Sequence, residues 1–196
     1  MIIILMLYII QLISYWFLKL LGWKFVGKIP EGNYFVALGG PHTSAWDFPV
    51  GMGLVFHHRL NISFLGKASL FKGIFGNMFR NLGGIPVDRS INNQALVQGI
   101  IQEFKTRDQF ILAMSPSGTR DYTPMWKSGF YKIASAANVP VLLCYLDFKH
   151  KKAGIGTSYL LTGNVREDMN FIRSFYSTVN GKFPEKVSKI LIKEEI

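Results

Sequence analysis

Short apolar runs separated by helix-length segments recur along the whole chain, and this alternation limits the possible fold more than any other feature. Strand-like runs fall at Trp23 to Val26, Asn33 to Leu38, Asn61 to Leu65, Ile85 to Val87, Gln109 to Met114, Val139 to Phe148 and Ser158 to Thr162. Between them lie helical segments at about Asp47 to His57, Leu70 to Asn81, Asn92 to Phe104 and Ser128 to Ala137, with a largely helical tail from Asp168. Strands alternating with helices predict an α/β fold, a mixed or largely parallel sheet flanked by helices. In such sheets, sites gather where strand ends meet helix starts. His42, Arg89 and Arg120 fall at such exits. No repeat and no Pro/Gly/Ser linker divides the 196 residues, which suffice for one domain over 23–196.

The segment before that domain differs in kind. Residues Met1 to Leu18 carry no charge, and the first basic residues, Lys19 and Lys24, follow the apolar stretch. A secretory signal has its positive charge first and small residues after, the reverse of this order. Trp16, Trp23, Lys19 and Lys24 match an interfacial belt of aromatic and basic side chains. Residues 1–22 therefore read as an apolar membrane-anchoring helix, monotopic or single-pass, on the cytoplasmic face of the cell membrane. A buried core helix is the competing reading, but a chain this short has little spare core to hold it.

A net charge of +10 calls for an anionic partner. The basic residues are scattered among aromatics, and the densest run is only Lys149-His150-Lys151-Lys152, so membrane lipids or phosphorylated molecules fit better than nucleic acid. The single cysteine, Cys144, rules out an intramolecular disulfide and a thiolate metal cluster, and its apolar neighbours suit a small buried hydrophobe.

Chemistry concentrates in four blocks: Pro41-His42-Thr43-Ser44-Ala45-Trp46-Asp47, Gly84-Ile85-Pro86-Val87-Asp88-Arg89, Pro116-Ser117-Gly118-Thr119-Arg120 and Val139-Pro140-Val141. In content and order they resemble the glycerolipid acyltransferase family, which includes the 1-acylglycerol-3-phosphate acyltransferases. Lys67 and the stretch from Leu70 to Arg80 also resemble the segment that precedes the second block in bacterial members. The resemblance covers about residues 23 to 150. It implies transfer of a fatty acyl group from acyl-CoA or acyl-carrier protein to a hydroxyl of a glycerol-phosphate, lysophospholipid or other lipid acceptor. It implies no metal, and no cofactor beyond that acyl donor. The chain has Pro41 where the family commonly has Asn, and Ser117 where the third block usually has Glu. These departures support an alternative, a catalytically weakened homologue that binds lipids or anions at the membrane.

The residue types suit the reaction. Neutral imidazole can take the proton of an attacking alcohol, and a carboxylate on the other ring nitrogen fixes the tautomer and stabilises the imidazolium. His42 and Asp47 can supply that pair without a covalent enzyme intermediate. Five helical steps rotate a side chain by about 140°, so the pair requires His42 in a loop and Asp47 at a helix start. Read singly, His42 would be an ordinary loop histidine and Asp47 a helix N-cap. Lys67, Arg89 and Arg120 are candidates for gripping phosphate, and Ser117, Gly118 and Thr119 for lining the substrate. Pro116-Ser117-Gly118 is not the Gly-x-Ser-x-Gly elbow of a serine hydrolase. His57 and His58 have no carboxylate nearby in sequence, and His150 lies in a basic turn. The stripe Phe71, Ile74, Phe75, Met78 and Phe79, with Lys72 and Arg80, fits either core or a lipid-facing surface.

Overall fold

Successive residues of a strand point to opposite faces, and the central strands here are apolar at every position. Phe35 and Ala37 pack into one core while Val36 and Leu38 pack into another. Such strands need cover on both sides, as a parallel sheet with helices on each face provides.

The computed structural model describes residues 12–73, 75–88 and 94–196. Its strands are β1 Lys24–Val26, β2 Tyr34–Gly40, β3 Ser63–Lys67, β4 Gly84–Val87, β5 Phe110–Met114, β6 Val141–Asp147 and β7 Lys152–Tyr159. Their order is β1-β7-β6-β2-β5-β3-β4. Every neighbouring pair is parallel except the β6–β7 hairpin, so the sheet is mixed but mostly parallel. A helix over 12–20 (α1) and α2, Asp47–His57, cover one face. Ile100 and Phe104 of α4 (Gln94–Thr106), Phe130 and Ile133 of α5 (Gly129–Ala137), and Met169 and Ile172 of α6 (Val165–Tyr176) fill the other core. Local chemistry sets several boundaries. Asn164 caps α6 by accepting the Glu167 N–H, and Asn138, at φ 52°, closes α5 in the left-handed conformation.

Three expectations need correction. The helix expected over Leu70 to Asn81 is a 3-10 turn, Ala68–Phe71, and a short α3, Gly76–Asn81. Gly73, at φ +71°, turns the chain between them, and a Cβ on Gly76 would stand 2.3 Å from the Phe71 carbonyl oxygen. The aromatic stripe is split accordingly, with Phe71 buried and Phe75 exposed. The strand expected at Ser158 to Thr162 instead begins at Lys152. Its glycines disguise it: Gly154 lies under the Tyr145 ring and Gly156 under Phe175. Finally, helix α6 stops at Tyr176, and 177–196 is extended chain with 3-10 turns at Pro184–Lys186 and Lys193–Glu195.

The first eleven residues of the expected anchor, together with Ile74 and Arg89, lie outside the described residues. Among the described residues no helix is long and apolar enough to cross a membrane. The remaining part, α1, packs Leu18 into the domain while Trp16, Phe17 and Leu20 face outward.

Candidate active site

Parallel strands bring their C-terminal ends to one edge of the sheet, and there the motif blocks meet. Leu38 of β2 pairs with Met114 of β5, and Phe64 of β3 pairs with Ala113 of β5. The loops carrying His42 and Ser117 thus leave adjacent strands side by side. Lys67 ends β3 one strand further on, in register with Val87, the last residue of β4.

His42 sits in the loop and Asp47 is the first residue of α2, the arrangement that the spacing demanded. The imidazole Nδ1 lies 2.9 Å from Asp47 Oδ2. The same oxygen accepts the backbone N–H groups of Thr43 and Ser44, each at 2.8 Å. Asp47 therefore orients the ring and pins the turn that carries it. Its side chain is 4% exposed and that of His42 30%, so the carboxylate is sheltered while the imidazole stays reachable. With Nδ1–H directed at the carboxylate, Nε2 is left as a hydrogen-bond acceptor. Asp47 Oδ1 is buried and has no partner among the described residues.

A narrow cavity of about 30 Å³ adjoins the imidazole, lined by Gly40, His42, Ser115, Ser117, Trp126 and Tyr176 among others. Ser117 is buried, but its hydroxyl is used within its own loop. It donates to the Thr119 carbonyl at 2.8 Å and lies 3.1 Å from Ser115 Oγ. Gly118 adopts φ +66°, a conformation that glycine takes without strain. Thr119 and Arg120 continue the loop outward, and Arg120 is exposed beside Asp121. The structure thus brings His42 and Ser117 to one cavity, with Asp47 behind the imidazole. It places Gly118, Thr119 and Arg120 next to that cavity and Lys67 at the same edge, outside the cavity lining.

Sequence reasoning missed the far wall. Tyr176, at the end of α6, places its hydroxyl 2.7 Å from the Leu38 carbonyl and 2.9 Å from that of Cys144, tying β2 to β6 just before the His42 loop. The ring lies 3.2 Å from where a Cβ on Gly40 would stand, which accounts for that glycine. Val187, Ser188 and Ile190 complete the wall. Phe183 N–H donates to Thr43 Oγ1 at 3.2 Å, docking the tail on the His42 loop. No motif marks these residues, because only the return of the chain brings them to the site.

Other candidates fall away on their surroundings. Burial pushes the Cys144 thiol up to about 12, so it is no ready nucleophile. His150 also meets a carboxylate, Asp147, at 2.7 Å, but in a half-exposed turn among lysines. Tyr15 of α1 meets His57 at 3.0 Å, and burial together with the neighbouring His57 holds His58 below the usual histidine range. Among the described residues no group of three His, Cys, Asp or Glu side chains could hold a metal ion.

The family model described as Acyltransferase matches residues 27–146, more than half of the chain and all four blocks. This chain belongs to the Acyltransferase family. One relative in that family is the 1-acyl-sn-glycerol-3-phosphate acyltransferase of Streptococcus pneumoniae (strain ATCC BAA-255 / R6), 32% identical over 146 residues. That alignment takes in 74% of this chain and 51% of the relative, so the chain spans about half the relative's length. The fold is that of another acyltransferase, the 1-acyl-sn-glycerophosphate (LPA) acyltransferase PlsC from Thermotoga maritima. The two agree with a TM-score of 0.58 and 22% identity over 87% of this chain and 75% of that one. The tail that walls the cavity, from Tyr176 onward, lies beyond the residues that the Acyltransferase model matches.

Proposed function

We propose that the protein is an O-acyltransferase that moves a fatty acyl group from acyl-CoA or acyl-carrier protein to a hydroxyl of a glycerol-phosphate or lysophospholipid acceptor at a membrane surface. The observation that carries this reading is the His42–Asp47 pair, set at a strand exit against a cavity in a chain of this family.

The proposed steps rest on this geometry. Nε2 of His42 takes the acceptor's hydroxyl proton as its oxygen attacks the thioester carbonyl carbon. Asp47 stabilises the imidazolium that forms, through Nδ1. The tetrahedral intermediate then expels the thiolate, which takes the proton back from Nε2, leaving an ester, a free thiol and the neutral imidazole. Lys67, Arg89 and Arg120 would hold the acceptor's phosphate, and Gly118 and Thr119 would let it approach the loop. Ser117 would act through the loop's shape, since its hydroxyl is bonded to Thr119.

Support for the membrane surface comes from α1. Ile13, Trp16, Phe17 and Leu20 are 63%, 57%, 50% and 85% exposed along one side of a helix whose Leu18 is buried. Such a stripe suits a helix lying in the interfacial plane. The test is acyl transfer by the purified protein from a long-chain acyl-CoA or acyl-carrier protein to a panel of lysolipid acceptors. His42→Ala should remove transfer, and a variant as fast as the parent would refute the proposed base.

A further inference from the structure

We infer that Trp46, Lys182 and Phe183 form a second bilayer contact, an aromatic and basic rim that seats the mouth of the His42 cavity among phospholipid headgroups; this rests on the membrane-surface reading above and goes beyond α1.

The tail assembles the rim. Phe183 N–H donates to Thr43 Oγ1 at 3.2 Å, beside His42. Gly181 lets the tail come this close, since a Cβ there would stand 2.9 Å from the Thr43 side chain. So docked, the tail brings Lys182 between two rings, its ammonium 5.1 Å from the centre of Trp46 and 5.9 Å from that of Phe183. Lys186 lies 5.8 Å from the Phe183 ring and bonds to Asp121, the neighbour of Tyr122, at 2.9 Å. Trp46, Phe183 and Tyr122 are all exposed. The rim therefore runs from the His42 loop to the loop after β5, and Val187 and Ser188 of the same tail line the cavity.

Its chemistry matches a bilayer interface. Exposed aromatic rings gain by sitting at headgroup level, and lysines among them meet lipid phosphates. Lys182 forms no ion pair among the described residues. An acidic protein would meet two lysines here, one already bonded to Asp121, so the exposed rings decide for the bilayer. The place of the rim matches too. Trp46 directly precedes α2, and α1 packs along α2, where a Cβ on Gly53 would stand 3.0 Å from Leu18. The outward stripe of α1 and the rim thus flank one helix. The stripe anchors the protein, and the smaller rim turns the cavity toward the lipids.

The experiment places an environment-sensitive fluorophore on full-length protein at one introduced cysteine, in Phe183→Cys or Lys182→Cys. Phe17→Cys on α1 and Lys105→Cys on α4, over the other core, serve for comparison. Native Cys144 is buried, with its thiol pushed up to about 12, and stays unlabelled. Vesicles of phosphatidylcholine and phosphatidylglycerol should move the emission at 182, 183 and 17 to shorter wavelength and shield these probes from iodide. The probe at 105 should not respond. A response at 17 with none at 182 or 183 would overturn the inference and leave the α1 contact standing. A response at 182 or 183 with none at 17 would keep the rim and overturn the α1 contact, and no response at any position overturns both. Equal shielding at 105, or shielding of 183 by acyl-carrier protein and not by vesicles, would also overturn the rim. Turnover is not read, so a protein that transfers no acyl group still decides the matter.

Discussion

Replacing Asp47 with Asn separates the charge of this residue from its shape. Oδ2 accepts three donors, His42 Nδ1 and the N–H groups of Thr43 and Ser44. An asparagine can offer its carbonyl oxygen to all three, so the turn should persist. Its amide then takes the place of Oδ1, which is buried without a partner among the described residues. Stranding that donor should cost about 1–3 kcal/mol of stability. The catalytic loss should be larger. A carboxylate and an imidazolium centred about 4 Å apart attract by about 4 kcal/mol at an effective dielectric of 20. That attraction exists only once the ring is protonated, so it acts on the transition state. Losing it should lower kcat by about a thousandfold with little change in KM. Thiol release from a long-chain acyl-CoA, followed beside a thermal melt, measures both terms. A folded Asp47→Asn protein with kcat within about tenfold of the parent would refute the reasoning.

Three further outcomes are expected. Tyr176→Phe keeps the ring against Gly40 but removes the proton shared by the Leu38 and Cys144 carbonyls, and urea denaturation should show a loss of about 1–3 kcal/mol. Asp168 is fully buried, which alone would raise its pKa, but hydrogen bonds from Tyr131, Thr162 and Tyr159 outweigh this and hold it below its usual 3.8. Its contribution to stability is therefore complete above that pH and is lost as pH falls through the lower folded value. Urea midpoints should accordingly decline less on acidification in Asp168→Asn than in the parent. Replacing Trp16, Phe17 and Leu20 together with Gln should abolish sedimentation with lipid vesicles and leave the circular dichroism unchanged, because all three side chains point away from the domain.

The pattern of the sequence made much of this legible. Asp47 could partner His42 only from a helix start, so the spacing alone dictated the loop-then-helix geometry that the structure shows. The α/β class followed from apolar strands alternating with helices. Strand order was hidden. That β5 lies between β2 and β3, bringing the Ser117 loop against His42, depends on long-range pairing that no local signal carries. Strand β7 was hidden for another reason: Gly154 and Gly156 make room for aromatic rings and so lack the β-branched side chains by which strands are recognised. The break before α3 was signalled weakly by Gly73 and Gly76, and the apolar periodicity of the surrounding phenylalanines outweighed it.

The tail beyond Tyr176 forms one side of the chamber next to His42, yet belongs to neither the sheet nor the four blocks. Related chains could therefore exchange this flank and remodel what fits against the imidazole without disturbing the His42–Asp47 pair. Selectivity and chemistry would then evolve on separate stretches of the polypeptide. Chimeras joined just after α6 offer a direct way to test whether a substrate preference moves with this flank.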